Sequence, residues 1–281
     1  MASCISNWWW DHSWNPVGGC QPVSPGCQNC YAARRAGTLH QQTGAKREVL
    51  RLAAGTVDKI GERYWFNGNL TAEPPGDLNW TWPLRWRGAR YPLLGPGKPS
   101  LVFVVDMGDL FIEGRPTAVI DRVVTTIAAS DHIGQLVTKR THLMAQYFAA
   151  ERWSPNTLRQ WRSHLWLAFS AENQHWFDVR WSHMRALADA GWVIFMSLGP
   201  LLGPVTLPTD FLALGKRGWV ICSGEQGRHE HIRDMDLRWS RALRDQCRAH
   251  SVPFFFKQTA RLGPIPPDLL IREFPDVPAA L

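Results

Sequence analysis

From residue 101 onward the chain repeats one pattern: a short run of β-branched or aromatic residues, then a stretch whose apolar positions recur at helical spacing. Leu101–Val105 is followed by Ala118–Ala129, Gly134–Val137 by Leu143–Ala150, and Leu165–Phe169 by Val179–Ala190. Val193–Met196 leads through Pro200-Leu-Leu-Gly203-Pro204, Trp219–Cys222 precedes a helical stretch at about Leu237–His250, and Pro253–Phe256 closes the series. Strands that point the same way need a long, right-handed connection back, so this alternation predicts a parallel sheet. With a first strand expected at Ile5–Trp10, the pattern predicts an α/β fold, a complete or partial (β/α) barrel of the TIM type. No Gly-x-Gly-x-x-Gly follows any strand, so the dinucleotide fingerprint is missing and an open doubly wound sheet is the second choice.

Residues 1–281 read as one domain, with an irregular insertion at about 61–100 and a C-terminal tail at about 260–281. The insertion is marked by Pro74-Pro75-Gly76, Pro83, Pro92 and Gly95-Pro96-Gly97 among aromatic residues. At 45% hydrophobic and 20% charged residues, disorder is excluded. The longest apolar runs, such as Leu101–Val105 and Trp192–Met196, fall far short of the ~20 residues a helix needs to cross a bilayer. The first residues show no basic segment followed by an apolar run, so the expected location is the cytoplasm. Lys and Arg number 31 against 24 Asp and Glu, a formal net charge of +7 that permits a nucleic-acid partner without requiring one. The 16 tryptophans read mostly as core, although Trp80-Thr-Trp82-Pro-Leu-Arg85-Trp86-Arg87 interleaves indole and guanidinium faces of the kind that suit flat substrates.

In parallel barrels the working residues stand at the C-terminal ends of strands. Here those ends carry Asp106 and Asp109, then Lys139 and Arg140, then Ser170, Glu172, Asn173 and Gln174. Ser197 follows the fifth run, Ser223 and Glu225 the sixth, and Lys257 and Gln258 the last. Carboxylates, amides and ammonium groups at one mouth suit a zwitterionic ligand, whose amine and carboxylate each need a charge-assisted partner.

The sharpest local signal is Trp14-Asn-Pro-Val-Gly-Gly-Cys20-Gln-Pro-Val-Ser-Pro-Gly-Cys27-Gln-Asn-Cys30-Tyr31-Ala, with cysteines at C-x6-C-x2-C. Thiolates are soft ligands that select iron–sulfur clusters, zinc or copper(I), and three of them leave a position open. On zinc, His12 or Cys4 is near enough in sequence to supply a fourth ligand. Cys222 and Cys247 read as core, and His229-Glu-His231 beside Glu225 is a candidate second metal site or a surface loop.

This opening resembles that of a phage and bacterial family described as radical-SAM-like, DUF5131. Met107-x-Asp109-Leu-Phe, Leu136-Val-Thr-Lys139-Arg140, Ser170-x-Glu172-Asn173, Pro200-Leu-Leu-Gly203-Pro204, Gly224-Glu225 and Pro253-Phe-Phe-Phe-Lys257-Gln258 look like that family's later blocks in the same order. The resemblance implies a [4Fe-4S] cluster on Cys20, Cys27 and Cys30, with S-adenosyl-L-methionine as cofactor and an external electron donor. It further implies a 5′-deoxyadenosyl radical that modifies an unknown substrate, with a nucleotide or nucleic acid among the classes the charge and aromatics allow. A three-Cys-motif partner protein is also implied. Within that scheme Tyr31 takes the adenine side, Asp106 or Asp109 the methionine ammonium, and Lys139, Ser170, Glu172 and Asn173 the rest of the cofactor. Glu225, Lys257 and Gln258 fall to substrate contact or proton transfer.

The sequence departs from the radical-SAM pattern in two places. Most such enzymes have C-x3-C-x2-C with an aromatic residue before the third cysteine, whereas this chain has the longer first gap and Asn29, with Tyr31 following. The family commonly has Ser-x-Glu-Pro where this chain has Ser197-Leu-Gly199-Pro200. Two other readings stand beside the enzyme: a zinc- or cluster-bearing nucleic-acid-binding or repair protein, and a non-catalytic partner subunit.

Overall fold

The computed structural model describes residues 8–39, 51–149, 151–227 and 230–277. Seven strands form one sheet: β1 (His12–Trp14), β2 (Leu101–Val104), β3 (Ile133–Thr138), β4 (Leu165–Ala171), β5 (Val193–Leu198), β6 (Gly218–Ser223) and β7 (Phe254–Gln258). Every neighbouring pair is parallel and the spatial order is the chain order. Sequential order has no switch point, which removes the doubly wound alternative. Among the described residues β1 and β7 do not pair with each other, so the curled sheet is a partial (β/α) barrel rather than a closed one.

The helices cover the outer face. They are α1 (Tyr31–Leu39), α2 (Thr117–Ala128), α3 (Thr141–Phe148), α4 (Pro155–His164), α5 (Gln174–Asp189) and α6 (Leu237–Ala249), with shorter turns elsewhere. Ile120, Val123, Val124 and Ile127 of α2 fall at helical spacing and bury against Val102, Val104 and Leu136, as an amphipathic crossover helix must. Alternate strand residues, Phe103, Trp166, Ala168, Phe195, Trp219, Ile221 and Phe255, face the concave side and form a second core. No helix among the described residues is long and apolar enough to cross a membrane.

The structure corrects three expectations. The first strand is His12–Trp14, not Ile5–Trp10; Ile5 to Asn7 lie outside the described residues, and Trp9 and Trp10 form no strand but plug the concave face against Phe103, Phe195 and Trp219. Between β3 and β4 there are two helices where one was expected; Ser154 caps α4 by accepting from the Thr157 amide, behind a proline in the first turn. α5 starts at Gln174, five residues before the expected Val179, because the Asn173 side chain caps it there. The C-terminal segment packs on the sheet: Ile271, Arg272 and Glu273 bond to β7, and the Trp219 indole donates to the Glu273 carbonyl, so the free edge of β7 is covered. A hairpin, Val57–Ile60 with Arg63–Phe66, leads into the insertion, which supplies a two-residue strand, Thr71–Ala72, that pairs with Val17–Gly18.

Candidate active site at the mouth of the half-barrel

The cysteine loop leaves β1 and closes over the C-terminal ends of the strands, and the local sequence explains how it is held. Asn15 of the Trp-Asn-Pro run bridges two strand ends: its amide donates to the Asp106 carboxylate at 2.5 Å and its carbonyl accepts from the Met107 amide at 3.1 Å. Gly19 pairs with Gly108, and the Asp109 amide donates to the Gly19 carbonyl at 3.2 Å. A Cβ on Gly108 would lie 2.8 Å from that carbonyl oxygen, so this approach of two backbones needs glycine. Pro25–Cys27 then form a helical turn with Cys27 donating to the Ser24 carbonyl, and α1 begins directly after Cys30.

Two carboxylates clamp the loop from opposite strand ends. Glu172, past β4, accepts from the Gly26 amide at 3.1 Å and from Arg180 of α5 at 3.0 Å, and both side chains of this ion pair are 1% exposed. Burial works against its ionisation, but the Ser24 hydroxyl, the Arg180 guanidinium and the Gly26 amide together hold it below the ordinary carboxylate value. Glu225, past β6, accepts from Asn29 at 2.8 Å and from the Arg233 amide and guanidinium. Its burial is likewise outweighed, chiefly by Arg233, and its pKa is lowered.

A third anchor is Asp109, buried in the loop that follows β2. It accepts from Thr138 at 2.8 and 3.0 Å and from Arg140 at 3.2 Å. Arg140 in turn reaches the Gln21 carbonyl at 3.0 Å and the Cys20 sulfur at 3.9 Å. Arg115 donates to the carbonyls of Gly18 and Asp109 beneath the loop.

Cys20, Cys27 and Cys30 line one cavity, with Asp106, Asp109, Lys139, Arg140 and Ser170 on its other walls. Cys30, Tyr31, Lys139 and Ser170 also line the adjoining lumen of the half-barrel, together with Trp10, Ser197, Ser223, Glu225, Lys257 and Gln258. Burial pushes the Cys20 thiol up to about 12, with Asp109 adding to the rise, and raises Cys30 too. At Cys27 burial is outweighed by the Lys139 ammonium and hydrogen bonds from Val23 and Ser24, so that thiol is the more acidic. None of the three is in a disulfide. Among the described residues no three His, Cys, Asp or Glu side chains are set to clasp a single metal ion. Cys222 and Cys247 are buried in the outer core, as expected, and far from this loop in role: Cys222 bonds the Ser240 hydroxyl at 3.4 Å.

Most of the sequence-predicted residues therefore meet at one mouth, in unequal roles. Tyr31 donates to the Asp106 backbone carbonyl at 2.8 Å, and burial raises the Asp106 carboxyl. Lys257 extends into the lumen, 5.8 Å from the Trp10 ring and 6.0 Å from the Tyr31 ring; burial lowers its amine to about 8 while Asp106 partly offsets this. Gln258 lines the lumen and bonds the Gly224 carbonyl. Asn173 lines neither cavity and is occupied as the α5 cap. His12 stacks on Trp82, 4.4 Å between ring centres, and lines a separate cavity, while Cys4 and His229 lie outside the described residues. His231 sits on the outer side of the cysteine loop with Asn29 and Cys30. Sequence reasoning missed Asn15, Asn29, Arg180 and Arg233. The Trp-Asn-Pro run held a signal for the first, whereas Arg180 reads as an ordinary polar position on an amphipathic helix.

A family model described as a protein of unknown function, DUF5131, matches residues 5–265. The chain belongs to the DUF5131 family. Among solved structures, this DUF5131 chain is similar to a substituted spore photoproduct lyase with bound AdoMet and dinucleoside spore photoproduct. The likeness covers 88% of this chain and 76% of that one, at 12% identity and a TM-score of 0.47. A second spore photoproduct lyase, complexed with dinucleoside spore photoproduct, is similar over 58% of this chain and 62% of that one, at 14% identity and a TM-score of 0.35. No curated protein matches the DUF5131 chain.

Proposed function

We propose that this DUF5131 protein is an iron–sulfur enzyme of the radical S-adenosylmethionine type, acting on a substrate held in the lumen of the half-barrel. The observation that carries the reading is the placement of three thiols, and no fourth among the described residues, on a cavity that shares a wall with the lumen. The donor chemistry fits a cluster with one site open to a ligand: three soft sulfur ligands on one Gly/Pro loop that line one cavity. Cys20, Cys27 and Cys30 would hold a [4Fe-4S] cluster, which when bound supplies one-electron chemistry to S-adenosyl-L-methionine, with the electron drawn from an external donor.

The chain's own residues do the rest. Glu172 and Glu225, and Asp109 through Arg140, hold the loop that carries the three thiols over the strand ends. In this reading Glu225 positions the loop instead of transferring protons, because its oxygens are taken by Asn29 and Arg233. Lys139 and Ser170 lie where the two cavities join, with Asp106 on the cysteine side, and there charge-assisted contacts orient the amino and carboxylate groups of the cofactor. Trp9, Trp10 and Phe103 close the bottom of the lumen with apolar surface and keep bulk water from a reactive intermediate.

The test is anaerobic purification with iron, sulfide and zinc analysis of the wild type and of a Cys20/Cys27/Cys30→Ser variant, followed by reduction with S-adenosylmethionine and assay for 5′-deoxyadenosine. About four irons per chain, lost in the variant, with cofactor cleavage, is the expected result. One zinc per chain and no iron after anaerobic reconstitution would overturn it.

A further inference from the structure

One corner of the lumen is built differently from the cysteine end. Along β7, Phe255 faces inward and Phe256 outward, as strand alternation requires. The register against β6 then breaks: Cys222 pairs with Phe256 but Ser223 pairs with Gln258, which leaves Lys257 as the extra residue of a bulge. Bulges re-aim side chains, and here the break lets both Lys257 and Gln258 line the lumen.

The groups beside Lys257 are hydrogen-bond donors without partners. Lys257 makes no hydrogen bond or ion pair among the described residues, and neither hydroxyl of Ser197 or Ser223 bonds to anything there. Of the nearby carboxylates, Glu225 is committed to Arg233 and Asn29, while Asp106, bonded to Asn15, attracts the Lys257 ammonium only through space. Gly199 supplies a bare wall between the two serines: a Cβ there would lie 2.4 Å from the Ser223 hydroxyl oxygen and 3.5 Å from that of Ser197. An ammonium and two hydroxyls therefore line one cavity, and none of the three is bonded among the described residues. A point-charge ammonium among hydroxyl donors suits the spread oxygens of a phosphate better than a planar carboxylate, for which an arginine fork is the better match.

We propose that Ser197, Ser223 and Lys257 form a phosphate subsite for the substrate, so that the lumen selects a phosphorylated molecule. The inference rests on the lumen being the substrate cavity, and deepens that reading. Binding is measured by calorimetry on the intact, folded protein with inorganic phosphate, uridine 5′-monophosphate and glycerol phosphate as probes, and with acetate as the carboxylate control. Phosphate probes should bind and acetate should not. Lys257→Met should weaken phosphate binding about 10- to 100-fold, and Ser223→Ala about 3- to 10-fold, as loss of charged and neutral hydrogen bonds requires. Lys257→Arg should restore part of the affinity, which separates lost charge from lost folding. Tighter binding of the nucleotide than of glycerol phosphate would name a nucleotide as the source; equal binding would name a smaller phosphate ester. Affinity unchanged in both Lys257→Met and Ser223→Ala, or displacement of phosphate by S-adenosylmethionine alone, would overturn the subsite. Cofactor cleavage without phosphate binding would sink this inference and leave the enzyme reading intact, whereas phosphate binding without iron would do the reverse.

Discussion

Glu172→Gln removes one negative charge from the most buried ion pair at the mouth and leaves the side chain almost unchanged in shape. Its partner Arg180 is 1% exposed, and two of its nitrogens, Nε and Nη2, already lack partners. The substitution therefore removes the counter-charge of a buried guanidinium that also donates to the Ser170 carbonyl at 2.7 Å, and the single amide oxygen left can serve only one of Arg180 and the Gly26 amide. Breaking a buried pair from one side costs about 3–5 kcal/mol. At about 2–4 °C per kcal/mol for a chain near this size, the midpoint of thermal unfolding should fall by roughly 6–20 °C. The folded-state pKa of Glu172 is depressed, so its contribution is complete above the ordinary value of 4.5 and is lost as pH falls through the folded value. The gap between wild type and variant should be full at neutral pH and close only below about 4.5. Calorimetric scans across that range, with iron analysis at each, make the measurement. A midpoint within about 2 °C of wild type and unchanged iron content would refute the claim that Glu172 clamps the loop.

Gly108→Ala should place a methyl group against the Gly19 carbonyl, at 2.8 Å before relaxation, where both partners are backbone. Overpacking of this kind costs about 1–3 kcal/mol, and because the contact seats the cysteine loop, urea unfolding should show the loss together with reduced iron retention. Arg115→Met keeps the volume but leaves the Gly18 and Asp109 carbonyls, which accept from Arg115 at 3.0 and 3.2 Å in the wild type, without their donor. A loss of about 1–3 kcal/mol in urea midpoint analysis is expected, and no loss would show that water serves those carbonyls equally well.

The fold was legible in the sequence because periodicity is a local property. Runs such as Leu165–Phe169 and Val193–Met196, separated by helical spacing, leave parallel crossovers as the main option. The cysteine loop was legible for a similar reason: Gly, Pro and thiol chemistry are all written within a short segment. The strand ends that carry Asp106, Lys139, Ser170 and Lys257 lie on the two adjoining cavities of one mouth, as strand-end logic expects.

Residue partnerships at that mouth were decided by tertiary structure. Glu172 and Glu225 look alike in sequence, as acidic residues just past strands, and either suits a ligand contact. Each turns out to be neutralised by an arginine and bonded to the cysteine loop, Glu172 by Arg180 and Gly26, Glu225 by Arg233 and Asn29. The Arg180 pairing spans only a few residues, but its burial depends on α5 packing beneath the loop, which no local pattern encodes. The same holds for the N-terminal tryptophans: Trp9 and Trp10 carry strand-forming side chains, yet the concave face of an open half-barrel offered more apolar surface than a sheet edge did. Sequence fixes what each segment prefers; which charges are left unpaired, Lys257 among them, depends on where seven strand ends come to lie side by side.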